Sequence, residues 1–156
     1  MQVLLVDDYP LFRQGLRALL ETNDTVEVVG EAGDGFEAVA LIRKMTPDVV
    51  IMDINMPGHD GLEATRQIKE YCPEAKVIIL SRYADHIYVD QALKSGALGY
   101  VHKDAVYDEL LFAIDAVKKD KPYLSPTVLQ PVVNGYMQSI PSNQDVAVYN
   151  KLSLSG

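Results

Sequence analysis

Five short apolar runs, separated by stretches of helical periodicity, constrain the fold of this chain more than any other feature. Val3-Leu4-Leu5-Val6, Val49-Val50-Ile51-Met52 and Val77-Ile78-Ile79-Leu80 are continuous, largely β-branched and bounded by charged or turn-forming residues. Strands buried on both faces read this way. Strands are expected near 2–6, 26–31, 49–53, 77–81 and 99–102, and helices near 11–21, 35–45, 61–71, 84–95 and 106–119. Regular alternation of the two is the signature of βαβ units, and so of an α/β, doubly wound parallel sheet. Right-handed crossovers leave only a few strand layouts.

The helices carry their own punctuation. Pro10 stands at a helix entry, followed by Phe12, Leu16, Leu19 and Leu20 at helical spacing. Phe36, Val39, Ala40 and Ile42 repeat the pattern until Thr46-Pro47, where the residue before proline resists helix. Leu110, Leu111, Ile114 and Val117 form another stripe that closes on Lys118-Lys119, cations suited to a helix C-terminus. Gly33-Asp34-Gly35 reads as a turn.

Composition changes after Pro122, so residues 1–121 are read as one domain and 122–156 as a linker helix and tether. Ser125-Pro126 predicts a capped helix reaching about Gln138, which Pro131 should kink or shorten. Ser139 to Asp145 is polar and linker-like. With 48% hydrophobic and 23% charged residues in 156, the chain has the composition of a globular domain. Its net charge of −8 argues against direct nucleic-acid binding, which needs a basic footprint. A lone cysteine, Cys72, forbids an internal disulfide, suits a reducing cytoplasm and is read as structurally passive. Met1 leads almost directly into a strand, so neither a signal peptide nor a membrane span is expected.

Chemistry-bearing residues gather where strands end. The first run ends in Asp7-Asp8, the third in Asp53, the fourth in Ser81, and Gly99-Tyr100-Val101-His102 in Lys103. In open parallel sheets the ligand crevice lies outside these carboxyl ends. Three carboxylates in one crevice repel one another unless a cation neutralises them, and hard oxygen donors select Mg²⁺ over zinc. Asp8 and Asp53 are read as direct ligands, with the backbone carbonyl of Asn55 and waters completing the shell and Asp7 acting through water. A carboxylate beside Mg²⁺ can act as a nucleophile on phosphorus, with Lys103, Ser81 and loop amides balancing the charge. His59, His86 and His102 lack metal-ligand spacing and are read as non-ligands.

These residues resemble the receiver domain of bacterial two-component response regulators over about residues 2–119. The resemblance rests on Asp7-Asp8, Asp53 with Met56-Pro57-Gly58 after it, Ser81, and Gly99-Tyr100-Val101-His102-Lys103. Gly33-Asp34-Gly35, Gly61-Leu62-Glu63, Lys103-Asp104 and Tyr123-Leu124-Ser125-Pro126 are more similar to the NarL/FixJ (LuxR-type) branch. The resemblance implies a five-stranded sheet in the flavodoxin-like order 2-1-3-4-5. It implies a cytoplasmic signalling switch, not an enzyme, with Asp53 accepting phosphate from a sensor histidine kinase. Ser81 and Tyr100 would form the switch pair, and a homodimer is one output. In that branch DNA is bound by a C-terminal helix-turn-helix domain; Lys151-Leu152-Ser153-Leu154 resembles its threshold, so the chain reads as receiver plus linker.

Some positions depart from the pattern. Asp104 stands where many receivers place a cis proline, and Arg82 where a small residue is usual. Arg82 is expected at the pocket mouth, Tyr83 to shield the acyl phosphate, and Asn55 to tune its loss. Two alternatives remain open. An aspartate-nucleophile phosphatase would need a second acid where Asn55 stands, and a degenerate receiver would work as a phosphate-independent interaction module.

Overall fold

A computed structural model describes residues 1–55 and 61–139. Met56-Pro57-Gly58, His59, the residues beyond 139 where a tether is expected, and Lys151–Leu154 lie outside the described residues. In chain order the elements are β1 (Gln2–Val6), α1 (Pro10–Glu21), β2 (Glu27–Ala32), α2 (Gly35–Lys44), β3 (Val49–Asp53), α3 (Gly61–Tyr71), β4 (Lys76–Ser81), α4 (His86–Lys94), β5 (Gly99–His102), α5 (Val106–Lys118), β6 (Tyr123–Leu124) and α6 (Pro126–Ser139). A 3₁₀ turn, Lys103–Ala105, joins β5 to α5.

All strand pairs are parallel, and the order is β2-β1-β3-β4-β5-β6. The first five strands thus follow the expected order, and a two-residue sixth extends the edge. Successive side chains in a strand point to opposite faces. Val3, Leu5, Val49, Ile51, Ile78, Leu80 and Val101 therefore pack against Leu16 and Leu20 of α1 and Leu110, Ile114 and Val117 of α5. Leu4, Val6, Val50, Met52, Val77, Ile79 and Tyr100 pack on the other side, with Val39 and Ile42 of α2, Ile68 of α3, Val89 of α4 and Val128 of α6. Helices on both faces explain why the strands read as unbroken apolar runs. Each fully buried aliphatic side chain supplies roughly 1.5–3 kcal/mol.

Local chemistry sets the helix boundaries. Gly33-Asp34-Gly35 is a reciprocal cap: Asp34 Oδ1 accepts from Glu37 N at 2.8 Å, and Glu37 Oε2 accepts from Gly33 N at 3.0 Å. Helix α4 starts at His86, two residues later than its periodicity predicts. The reason is that Tyr83 is bonded outside the helix: its N–H donates to Ser81 Oγ at 3.0 Å and its carbonyl accepts from the Tyr100 hydroxyl at 2.5 Å. Gly61 opens α3 beside the exit of β3; a Cβ there would lie 2.7 Å from the Asp53 carbonyl oxygen and 2.8 Å from Ile54 Cα.

Residues 123–139 stay on the domain. Tyr123 N donates to the Leu98 carbonyl at 3.2 Å and Ser125 N to the Tyr100 carbonyl at 2.9 Å, which places β6 beside β5. The sequence gives no hint of this strand, because two residues are too short for a period to register. Pro131 does not shorten α6, which continues to Ser139. Proline removes one hydrogen bond, to the carbonyl of Thr127, and Thr127 is exposed, so water can satisfy that carbonyl. Packing holds the helix: Val128 is fully buried, and Gly135 lies so close to α4 that a Cβ would overlap the His86 ring. Gly135→Ala is expected to push α6 off α4 at a cost of about 1–3 kcal/mol in docking. Amide exchange in 126–139 should speed up while β1–β5 keep their protection. Unchanged exchange in α6 would show that the helix can shift without losing its seat.

Candidate functional site

Strand alternation carries Asp7 and Asp53 to the α1–α5 side of the sheet, and Ser81 and Tyr100 to the α4–α6 side. Asp53 ends β3, is 1% exposed, and accepts from Asn55 N through Oδ1 at 2.9 Å. Its Oδ2 is 3.0 Å from Lys103 Nζ. Lys103 comes from the end of β5, two strands away, a span of roughly 10 Å that an extended lysine can bridge. The same ammonium lies 3.8 Å from Asp7 Oδ2. Asp7, also 1% exposed, accepts from Tyr9 N through Oδ1 at 2.8 Å, while its buried Oδ2 has no hydrogen-bond partner. Asp8 is exposed beside them, and one carboxylate oxygen from each of Asp7, Asp8 and Asp53 fits within 4.8 Å.

Burial pushes the Asp7 carboxyl up to about 6 from 3.8; the Tyr9 N–H opposes this, Asp53 adds to it, Lys103 opposes it and Asp8 adds to it. One ammonium among three carboxylates leaves the cluster anionic. The orphaned Asp7 oxygen and the all-oxygen donor set fit a hard divalent cation in this crevice.

Ser81 and Tyr100 are fully buried. Burial raises the Tyr100 hydroxyl above its ordinary range, and the Ser81 hydroxyl pulls it part of the way back. Tyr83 stacks on Tyr88 of α4, with ring centroids 4.5 Å apart and planes 16° apart. Arg82, Tyr83 and Asn55 line the mouth of a cavity of about 530 Å³ together with Asp8, Asp53 and Lys103. Asp8, Asp53, Asn55, Arg82, Tyr83 and Lys103 thus line one crevice with Asp7 buried beside them, while Ser81 and Tyr100 lie on the opposite side of the sheet. His102 does not turn toward the acids: its Nδ1 accepts from Asp104 N at 3.1 Å and its backbone N–H donates to Ser125 Oγ at 2.9 Å. Among the described residues no peptide is cis, so the Lys103-Asp104 loop is built as a 3₁₀ turn.

Tyr9, Phe12 and Asp104 also line the cavity. Phe12 reads from the sequence as a core position on α1. Its place in the first turn after a strand-end acidic pair is the signal that it borders the crevice as well.

Asp7 gives a pH test in metal-free protein. A carboxyl whose folded pKa is raised contributes stability below its unfolded pKa, and that contribution is lost as pH rises through the folded value. The window is therefore from about 3.8 to about 6. Asp7→Asn should be more stable than the parent at pH 8, by order of 2–3 kcal/mol. The gain should shrink as pH falls from 6 toward 4 in urea denaturation; a gain independent of pH would show that Asp7 ionises as freely folded as unfolded.

Comparison with known proteins agrees with this geometry. Residues 3–115 match the response regulator receiver domain family. The chain is 39% identical over 145 residues to the transcriptional regulatory protein DegU of Brevibacillus brevis, covering 93% of this chain and 61% of DegU. A crystal structure of a LuxR-family two-component response regulator from Aurantimonas sp. SI85-9A1 superposes with a TM-score of 0.84 at 37% identity, covering 87% of this chain and 97% of that one. The RcsB response regulator of Salmonella typhimurium superposes with a TM-score of 0.83 at 26% identity, covering 100% of this chain and 78% of that one. The chain thus spans less than two thirds of the length of its curated relative DegU. Sequence and fold converge on one branch, and the chain belongs to the response regulator receiver domain family, with relatives of the LuxR type.

Proposed function

We propose that Asp53 is the phosphoacceptor of this receiver and that a sensor histidine kinase is its donor. The observation that carries the reading is a buried strand-end carboxylate 3.0 Å from a lysine ammonium, beside two further acids, one with a buried oxygen that accepts no hydrogen bond. In the transfer an Asp53 carboxylate oxygen forms a bond to phosphorus as the phosphorus–nitrogen bond to the donor histidine breaks. The imidazole leaves with the electron pair and is protonated. Lys103 Nζ stabilises the phosphoryl oxygens, and the Ser81 hydroxyl joins it by turning toward them from its place beside the Tyr83 N–H. Mg²⁺, when bound, would neutralise charge on those oxygens; Asp8, Asp53 and the Asn55 carbonyl would hold it, with Asp7 acting through water.

The chain works as a switch and not as a turnover enzyme, since Asn55 stands where an aspartate-nucleophile phosphatase places its acid. Retention of Asp7, Asp8, Asp53 and Lys103 around one crevice, with Ser81 at the end of the next strand, weighs against a degenerate, phosphate-independent module. Transcriptional output would come through a dimer and a DNA-binding domain, as RcsB dimers have been solved bound to DNA. This acidic chain would not touch DNA itself. The cytoplasm, where such kinases present their phosphohistidine, is the compartment that fits.

Incubation with acetyl phosphate and Mg²⁺ should add one acid-stable, base-labile phosphate, seen by intact mass, and Asp53→Asn should abolish it with the fold intact. Labelling that survives in Asp53→Asn refutes the assignment. Arg82, exposed at the cavity mouth, sets the rate and not the capacity. Its charge draws an anionic donor while its bulk obstructs it, so Arg82→Ala should change phosphorylation or decay by about threefold or more, roughly 0.7 kcal/mol in barrier. Overlapping time courses for the variant and the parent would place Arg82 outside the reaction.

A further inference from the structure

Phe12 sits in the first turn of α1, half-buried, with its ring in the cavity wall beside Asp53 and Lys103. Lys103 Nζ stands 5.1 Å from the ring centroid. That lies within the about 6 Å range over which a ring face attracts an ammonium. The same nitrogen is 3.0 Å from Asp53 Oδ2 and 3.8 Å from Asp7 Oδ2, and the lysine side chain is only 14% exposed.

A lysine ammonium is a compact charge on a flexible stem, with no preferred direction of bonding. Ion pairs alone would let it follow whichever carboxylate is most negative, including exposed Asp8. The ring supplies a third neighbour from an element that carries none of the acids. The end of β1, the end of β3 and the first turn of α1 then define one position for the charge.

We propose that Phe12 is a positioning residue for chemistry at Asp53, acting through Lys103 by holding its ammonium against the carboxylate that receives the phosphoryl group. The proposal rests on the phosphoacceptor reading above. Its plain competitor is core packing, since Phe12 also lies against the apolar cluster shared by α1 and α5. A packing role would affect stability without fixing the lysine.

Two measurements on the whole chain separate these roles. One is the initial rate of labelling by acetyl phosphate with Mg²⁺. The other is the proton chemical shift of the Lys103 ε-methylene, which a ring at this distance moves upfield. Phe12→Leu removes the ring and keeps an apolar side chain; Phe12→Tyr keeps the ring. Phe12→Leu should slow labelling about fivefold and move the Lys103 signal downfield, while Phe12→Tyr stays within about twofold of the parent and keeps the shift. Phe12→Met stands in if the leucine variant fails to fold. An unmoved Lys103 signal overturns the proposal even if labelling slows, because the loss is then one of packing. A moved signal with an unchanged rate overturns it too, because the reaction then does not need the ring. If the parent takes no label, the phosphoacceptor reading fails on its own, and the Lys103 shift still decides whether Phe12 fixes the ammonium.

Discussion

The contact between Lys103 and the carboxylates of Asp53 and Asp7 is the interaction on which this molecule depends. Two acids, each 1% exposed, end neighbouring parallel strands, and burying such charges without a partner costs several kcal/mol or forces protonation. The ammonium at 3.0 and 3.8 Å offsets part of that cost. What it leaves is a net negative crevice with an Asp7 oxygen that accepts no hydrogen bond, an arrangement that fits a hard cation. The packed sheet beneath must hold the acids in place against their own repulsion.

The other side of the sheet ties this crevice to the rest of the domain. Ser81 Oγ accepts from the backbone of Tyr83, and the Tyr83 carbonyl accepts from the Tyr100 hydroxyl. The Tyr83 ring stacks on α4 through Tyr88. Tyr100 also meets the segment that leads into α6: its backbone carbonyl accepts from Ser125 N, and its ring packs in the cluster that holds Val128. Rotation of the ring would break the bond to Tyr83 and disturb that packing, while the backbone bond beside β6 stays in place.

Much of this was legible before any coordinates. Val49 to Asp53 announces a buried strand with a charge at its end, and Gly33-Asp34-Gly35 announces the turn between β2 and α2. Misreadings occur where a local rule meets a tertiary partner. Helix α4 loses its first two expected residues because Tyr83 is bonded to Ser81 and Tyr100 instead. Helix α6 passes Pro131 because its packing against α4 outweighs one missing hydrogen bond. Phe12 obeys the spacing of a core residue while also walling the pocket.

The sequence by itself determined the layers, the strand ends and the identity of the groups standing there. Those follow from period and residue type, which are local properties of the chain. Only the tertiary structure decided which of those groups touch. Lys103 could have been a solvated lysine, and its 3.0 Å approach to Asp53 exists because the strand order places β4 alone between β3 and β5. The raised Asp7 carboxyl, the ring of Phe12 beneath the ammonium and the seat of α6 on α4 have the same origin. Each depends on how residues far apart in sequence pack together, and no local pattern encodes that packing.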